Sequence, residues 1–244
     1  MKQHILVTGG TGSFGKKFIE VMLNEVQPAK LIVFSRDELN ALAAICEKHV
    51  MMIYSDEIHC GLILDSDKPH IPTATLDETI AQRTITLMSP SKTFNLPGLG
   101  CAFAVISDEK LRQRFIKAMA GIVPLVNALG YTAAEAAYRD SDDWHAQLLE
   151  YLRGNRDTVA RAIAAMPTLS MAPVEATYLA WIDVRSAGLP EPVRFFENAG
   201  VGLQDGIEFG EPGFVRLNFG CQRPLLEEAL DRMASAMQHH LNKK

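Results

Sequence analysis

Ser89-Pro90-Ser91-Lys92-Thr93-Phe94-Asn95-Leu96-Pro97-Gly98-Leu99-Gly100 is the stretch on which the fold of this 244-residue chain turns. It is polar and rich in turn formers, yet it lies between two short apolar runs, Thr84–Met88 and residues 101–106, each the length of a buried strand. Upstream, residues 50–55 make a third run that passes straight into Asp56-Glu57-Ile58-His59-Cys60. Before it, Leu39, Leu42, Ala43 and Cys46 recur at helical spacing through residues 37–49. Buried β runs alternating with amphipathic helices predict an α/β fold: a mostly parallel sheet with helices on both faces and right-handed crossovers. Ligands of such sheets bind beyond the carboxyl ends of the strands. Asp56 and Lys92 fall at that edge.

Working outward, residues 5–8 and 31–34 read as strands around a helix over 16–26, a Rossmann-like first βαβ. Residues 109–165 read as helical, with breaks near Pro124 and around 140–143, and Pro167 ends the run. The tail then reads as α+β. Strands are expected near 169–172, 178–183, 201–204 and 215–219, with helices over 192–199 and 225–241. Tyr178 and Trp181 alternate with apolar neighbours and are expected in the core.

Composition narrows the function classes. Apolar residues at 48% and charged residues at 22% exclude disordered, collagen-like and disulfide-scaffold chains. The 24 basic and 29 acidic residues leave a net charge of −5 with no Lys/Arg block, which argues against nucleic acid as a partner. No apolar run approaches the ~20 residues of a membrane span, and the N-terminus lacks a signal-peptide pattern. Cys46, Cys60, Cys101 and Cys221 are scattered without a C-x-x-C. They fit reduced thiols in a cytoplasmic protein, and no metal site is expected.

Two sets of residues carry chemistry. Pyridoxal phosphate (PLP) enzymes need a lysine that holds the cofactor and an acid that keeps the ring nitrogen protonated. Lys92 in a loop between strands and Asp56 at a strand end supply that pair, and the Ser89 and Ser91 hydroxyls suit a phosphate. Separately, Gly9, Gly12 and Gly15 sit in Thr8-Gly9-Gly10-Thr11-Gly12-Ser13-Phe14-Gly15, a glycine turn between strand and helix that suits a pyrophosphate. Arg36 closes the next strand, where it would meet the extra phosphate of NADP.

The blocks SDEIHC, TITLMSPSKTFNLPGLG, KLRQRF, TYLAWID and FVRLNFGC, in that order, resemble the aminotransferase-fold cystathionine β-lyases, the PLP-dependent C–S lyases. The likeness runs from about residue 35 to 232. It implies that Lys92 carries the cofactor and moves the substrate α-proton, and that Asp56 pairs with the ring nitrogen. It implies His59 near the phenolic oxygen, Ser89 on the phosphate with Ser91 as a weaker candidate, and Arg216 on the substrate α-carboxylate, where a planar two-toothed donor suits. A sulfur amino acid as substrate and a homodimer are implied by the resemblance alone.

Residues 1 to about 40 instead resemble the NADP-binding start of the short-chain dehydrogenase/reductase-type UDP-N-acetylglucosamine 4,6-dehydratases. That family's Tyr-x-x-x-Lys pair is absent: Tyr54, Tyr131, Tyr138, Tyr151 and Tyr178 are followed four residues on by Ile58, Glu135, Asp142, Asn155 and Ile182. The C–S lyase chain is longer on its N-terminal side, so the expected organisation is a chimera. It has a Rossmann-like segment over 1–40, the remainder of a PLP-type large domain over 41–144 and a small domain over 145–244. Its expected function is that of a C–S β-lyase or an aminotransferase-family enzyme. The alternative is a non-catalytic chimera binding NADP or PLP, or a ligand-free scaffold.

Overall fold

The computed structural model describes residues 36–242, with the backbone alone at 36–38. They form two compact units. One holds the described residues up to Gly61 together with His70–Ser141, and the other holds Leu62–Pro69 with the chain from Asp142 onward.

The first unit opens with α1 (Arg36–Lys48), which buries Leu39, Leu42, Ala43 and Cys46 on one stripe. Three strands follow, β1 (Ile53–Asp56), β2 (Thr84–Met88) and β3 (Phe103–Val105), in the spatial order β1-β2-β3. β1 and β2 are parallel, with Ile53 opposite Thr84 and Asp56 opposite Leu87. A parallel pair needs a crossover. Here it contains a short helix the sequence reading missed, α2 (Glu78–Ala81), started by Asp77, whose Oδ1 accepts the Ile80 N–H at 2.8 Å.

The expectation of a mostly parallel sheet is corrected by β3, which runs antiparallel to β2, with Met88 opposite Phe103. The connection between them is the lysine loop, whose only regular piece is a 3₁₀ turn at Pro97–Leu99. Without a helical crossover the chain turns back beside the strand it has left. On one face of the sheet Ile85 and Ile106 pack with Leu111 of α3 (Glu109–Met119), flanked by Tyr54, Leu87 and Phe115. α4 (Ala128–Asp140) closes the unit. Asn127 caps it, accepting the Gly130 N–H at 2.9 Å and donating to the Leu99 carbonyl at 3.1 Å, which ties the helix start to the lysine loop.

The second unit is an antiparallel sheet with helices on its buried face. β4 (Ser170–Met171), β5 (Leu179–Asp183), β6 (Gln204–Asp205) and β7 (Phe214–Asn218) lie in the order β4-β5-β7-β6. α5 (Asp142–Ala164), α6 (Pro192–Asn198) and α7 (Arg223–Leu241) supply Val159, Ile163, Phe196, Leu226, Leu230 and Met233 to a core shared with Ala180, Ile182, Val215 and Leu217. Leu62 and Leu64 are buried in that same core. The core side of β5 is Ala180 and Ile182, so Trp181 stands on the opposite, half-buried face. That corrects its expected core position. Tyr178, also half-buried, does pack against the core.

Candidate active site

The parallel pairing of β1 and β2 decides where the chemistry lies. Both strands point their carboxyl ends the same way, so Asp56 and the loop from Ser89 leave the sheet at one edge. The ladder continues one residue past β1, with the Glu57 N–H donating to the Leu87 carbonyl at 2.9 Å. The chain then turns, and the Cys60 N–H closes on the Glu57 carbonyl at 2.9 Å. Half-buried Asp56 accepts the Ile58 N–H on Oδ1 at 3.3 Å, and no hydrogen bond engages its Oδ2 among the described residues. His59 is half-buried in the same turn. Gly61 ends it against the lysine loop: a Cβ there would lie 2.6 Å from Thr93 Oγ1. Only glycine allows the two segments to approach so closely.

The lysine loop is held by its own bonds. Phe94 N–H donates to Pro90 O at 2.9 Å and Leu96 N–H to Ser91 O at 3.1 Å, with Asn95 left-handed at φ 53°. Ser89 is buried. Its hydroxyl accepts the Ser91 N–H at 3.0 Å and donates to Cys101 O at 2.6 Å, while Ser91 Oγ lies 2.6 Å away. One hydroxyl has one proton, so Ser89 spends its own fastening the loop to the approach of β3. The 2.6 Å contact between the two hydroxyls then takes the Ser91 proton, so the two serines form one linked pair. Lys92 is half-buried, and its ammonium makes no hydrogen bond or ion pair among the described residues. Beyond the loop, Phe94 meets Tyr138 of α4 edge-to-face at 5.6 Å. Burial, with the Cys60 and Cys101 thiols nearby, pushes the Tyr138 hydroxyl above its usual pKa.

The sequence reading overlooked Glu57. It is buried, with 2% of its surface exposed, and it accepts from Ser55 Oγ at 2.9 Å and Thr73 N–H at 3.0 Å on Oε1. His70 Nε2 lies 2.8 Å from its Oε2. Alternation was the available signal: Ile53, Ser55 and Glu57 share the buried side of β1, whereas Tyr54 and Asp56 are half-buried.

Arg216 belongs to the other unit. It lies on the outer face of β7, directly opposite Gln204 of β6 and Trp181 of β5. Its Nε donates to Gln204 Oε1 at 2.9 Å, its Nη2 donates to the same oxygen, and its guanidinium sits 4.3 Å from the Phe209 ring centre. Partial burial lowers its pKa, opposed by the Glu208 carboxylate. The glycine turn at Gly9, Gly12 and Gly15, and the Rossmann-like segment around it, lie outside the described residues. No group of three metal-ligating side chains is present among the described residues, and no helix there is long and apolar enough to cross a membrane.

The model of aminotransferase class I and II matches residues 32–233. The chain belongs to the aminotransferase class I and II family. Within that family it is 34% identical over 212 residues to cystathionine β-lyase PatB of Bacillus subtilis, covering 84% of this chain and 54% of PatB. Protein MalY of Escherichia coli is 34% identical over 215 residues, covering 84% and 54%. Among solved structures, cystalysin from Treponema denticola, which contains a pyridoxal 5′-phosphate cofactor, superposes with a TM-score of 0.85 at 28% identity, over 95% of this chain and 63% of cystalysin. The chain spans about half the length of these curated relatives. The fold is therefore the α/β fold of aminotransferase-like PLP enzymes, carried here as a small mixed sheet and an antiparallel sheet with their helices.

The donor set at the edge fits pyridoxal phosphate. An unengaged amine, a carboxylate with one open oxygen, an imidazole and a linked pair of serine hydroxyls all leave one end of a parallel strand pair.

Proposed function

We propose that this aminotransferase-family chain is a PLP-dependent carbon–sulfur β-lyase of the cystathionine β-lyase type. The observation that carries the reading is the shared edge of β1 and β2, which brings the Asp56–His59 turn against the Lys92 loop within the sequence blocks common to the C–S lyases. When bound, the pyridoxal ring supplies an electron sink for the pair of electrons left when the substrate α-proton departs. The chain's residues do the rest. Lys92 Nζ holds the cofactor and shuttles the α-proton, for which a half-buried amine without an ion pair is suited. Asp56 Oδ2 keeps the ring nitrogen protonated, and His59 attends the phenolic oxygen. The linked Ser89 and Ser91 hydroxyls serve the phosphate, Ser89 as the first candidate and Ser91 as the weaker one. Arg216 receives the α-carboxylate of a sulfur amino acid. With the cofactor bound, a sulfur amino acid and water would yield the thiol, pyruvate and ammonia. A homodimer and a cytoplasmic setting belong to this proposal. The NADP turn at Gly9–Gly15 is a separate reading that rests on sequence; the family match begins at residue 32, and no comparison above supports a nicotinamide site.

The test is an absorbance spectrum with added PLP, followed by borohydride reduction and peptide mapping. A visible band with the reduced adduct on Lys92, together with pyruvate release from cystathionine, is expected. No band, or label scattered over surface lysines, would leave the non-catalytic scaffold as the better account.

A further inference from the structure

The outer face of the second unit's sheet carries a group that the lyase reading uses only in part. Trp181, Arg216 and Gln204 lie side by side across β5, β7 and β6. After β6 the chain turns through Gly206–Phe209, started by Asp205, whose Oδ1 accepts the Ile207 N–H at 3.0 Å. Gly206 is packed against the Glu211 and Phe214 carbonyls so tightly that no Cβ fits. That pins the turn to β7 and delivers Phe209 over the Arg216 guanidinium, with the Phe209 ring edge-on to Trp181 at 5.6 Å. Arg216 is thus held on one side by an amide oxygen and on one face by a ring. Both partners are neutral. Among the described residues no carboxylate comes within ion-pair distance of it, whereas Arg185 nearby is bound to Asp183 at 2.6 Å.

We propose that Gln204 is a positioning residue for Arg216: its amide oxygen fixes the guanidinium without neutralising it, which leaves the positive charge for the substrate α-carboxylate. This rests on the carboxylate role given to Arg216 above. Two N–H groups spent on one neutral acceptor orient the planar fork, and the remaining N–H groups stay available to a two-toothed anion. The ring beneath adds cation–π attraction at little desolvation cost. A carboxylate in place of the amide would orient the guanidinium equally well and compete with the substrate for its charge.

The experiment is calorimetric titration of the full chain, PLP added, with hydrocinnamate, a carboxylate that has no amine to react. Gln204→Glu is expected to weaken binding about fivefold, Phe209→Leu about twofold to threefold, and Arg216→Ala to abolish it. With cystathionine, Gln204→Glu raises KM by a similar factor and leaves kcat within about twofold, a split that general destabilisation would not produce. Gln204→Ala, which introduces no charge, should weaken binding less than Gln204→Glu. Loss of binding in Arg216→Ala with full binding in Gln204→Glu would overturn the positioning role while Arg216 keeps its own. Full binding in Arg216→Ala, or none in the unaltered chain, would overturn the Arg216 assignment and this inference with it.

Discussion

Glu57 brings a charge into the interior of the first unit, and its hydrogen bonds are what make that tolerable. A buried carboxylate stripped of partners costs several kcal/mol. With Ser55, Thr73 and His70 around it, Glu57 instead locks the turn that carries Asp56 and His59. Glu57→Ala is expected to lower stability by about 3 kcal/mol in urea unfolding. Glu57→Gln, which keeps an acceptor oxygen, should lose less. In the second unit the Asp183 carboxyl is held below the ordinary 3.8 by its bonds from the Arg185 side chain and backbone. A depressed carboxyl stabilises the fold above its unfolded pKa, and that contribution is lost as pH falls through the folded value. Acid unfolding followed by circular dichroism should therefore steepen below about pH 4, and Asp183→Asn should flatten that limb.

At the level of elements, α1 buries Cys46, and desolvation pushes the thiol up to about 11 from 9.0, with Arg83 opposing. The unfolded chain ionises first as pH rises, so stability present below pH 9 is lost between 9 and about 11. Cys46→Ala should remove this alkaline loss while costing on the order of 1 kcal/mol at neutral pH from the cavity left in the α1 stripe. The turn after β1 makes a sharper demand. Gly61→Ala would force buried Thr93 aside, and a loss of about 2 kcal/mol with a weaker visible band on PLP addition is expected. Much of this was legible in the sequence. Thr84–Met88 is a strand with the bounds its apolar run set, and the helix breaks near Pro124 and residues 140–143 fall where α3, α4 and α5 separate. Periodicity does not report strand direction, so a mostly parallel sheet is the expectation and the antiparallel course of β3 is not legible in its apolar run. Nor does it report which side of a strand is covered, so Trp181 was placed in the core. The Asp56 and Lys92 blocks were readable as motifs, but Gln204 beside Arg216 depends on cross-strand register, which only the folded sheet reveals.

For the molecule as a whole, the division into units is not a division of the chain into two consecutive lengths. The backbone passes between units at residues 61–62, 69–70 and 141–142. Leu62 and Leu64, no more than 1% exposed, complete the core built by α5, β5 and α7. The bridge from Ile63 to Ala176 and the bond from Thr177 N–H to the Leu62 carbonyl at 2.7 Å fasten them there. A fragment beginning at Asp142 is therefore expected to bind a hydrophobic dye and melt without a cooperative transition, whereas adding residues 62–69 as a separate peptide should restore part of the cooperativity.

That short excursion also bears on how such a gene can be recombined. The second unit is written in two pieces of coding sequence with the whole of the lysine loop between them. A crossover anywhere from codon 70 to codon 141 hands one parent's Leu62–Pro69 to the other parent's helices and sheet. Exchange of the second unit between relatives then succeeds only where both pieces travel together, so the unit is inherited as a pair of distant segments and not as a cassette.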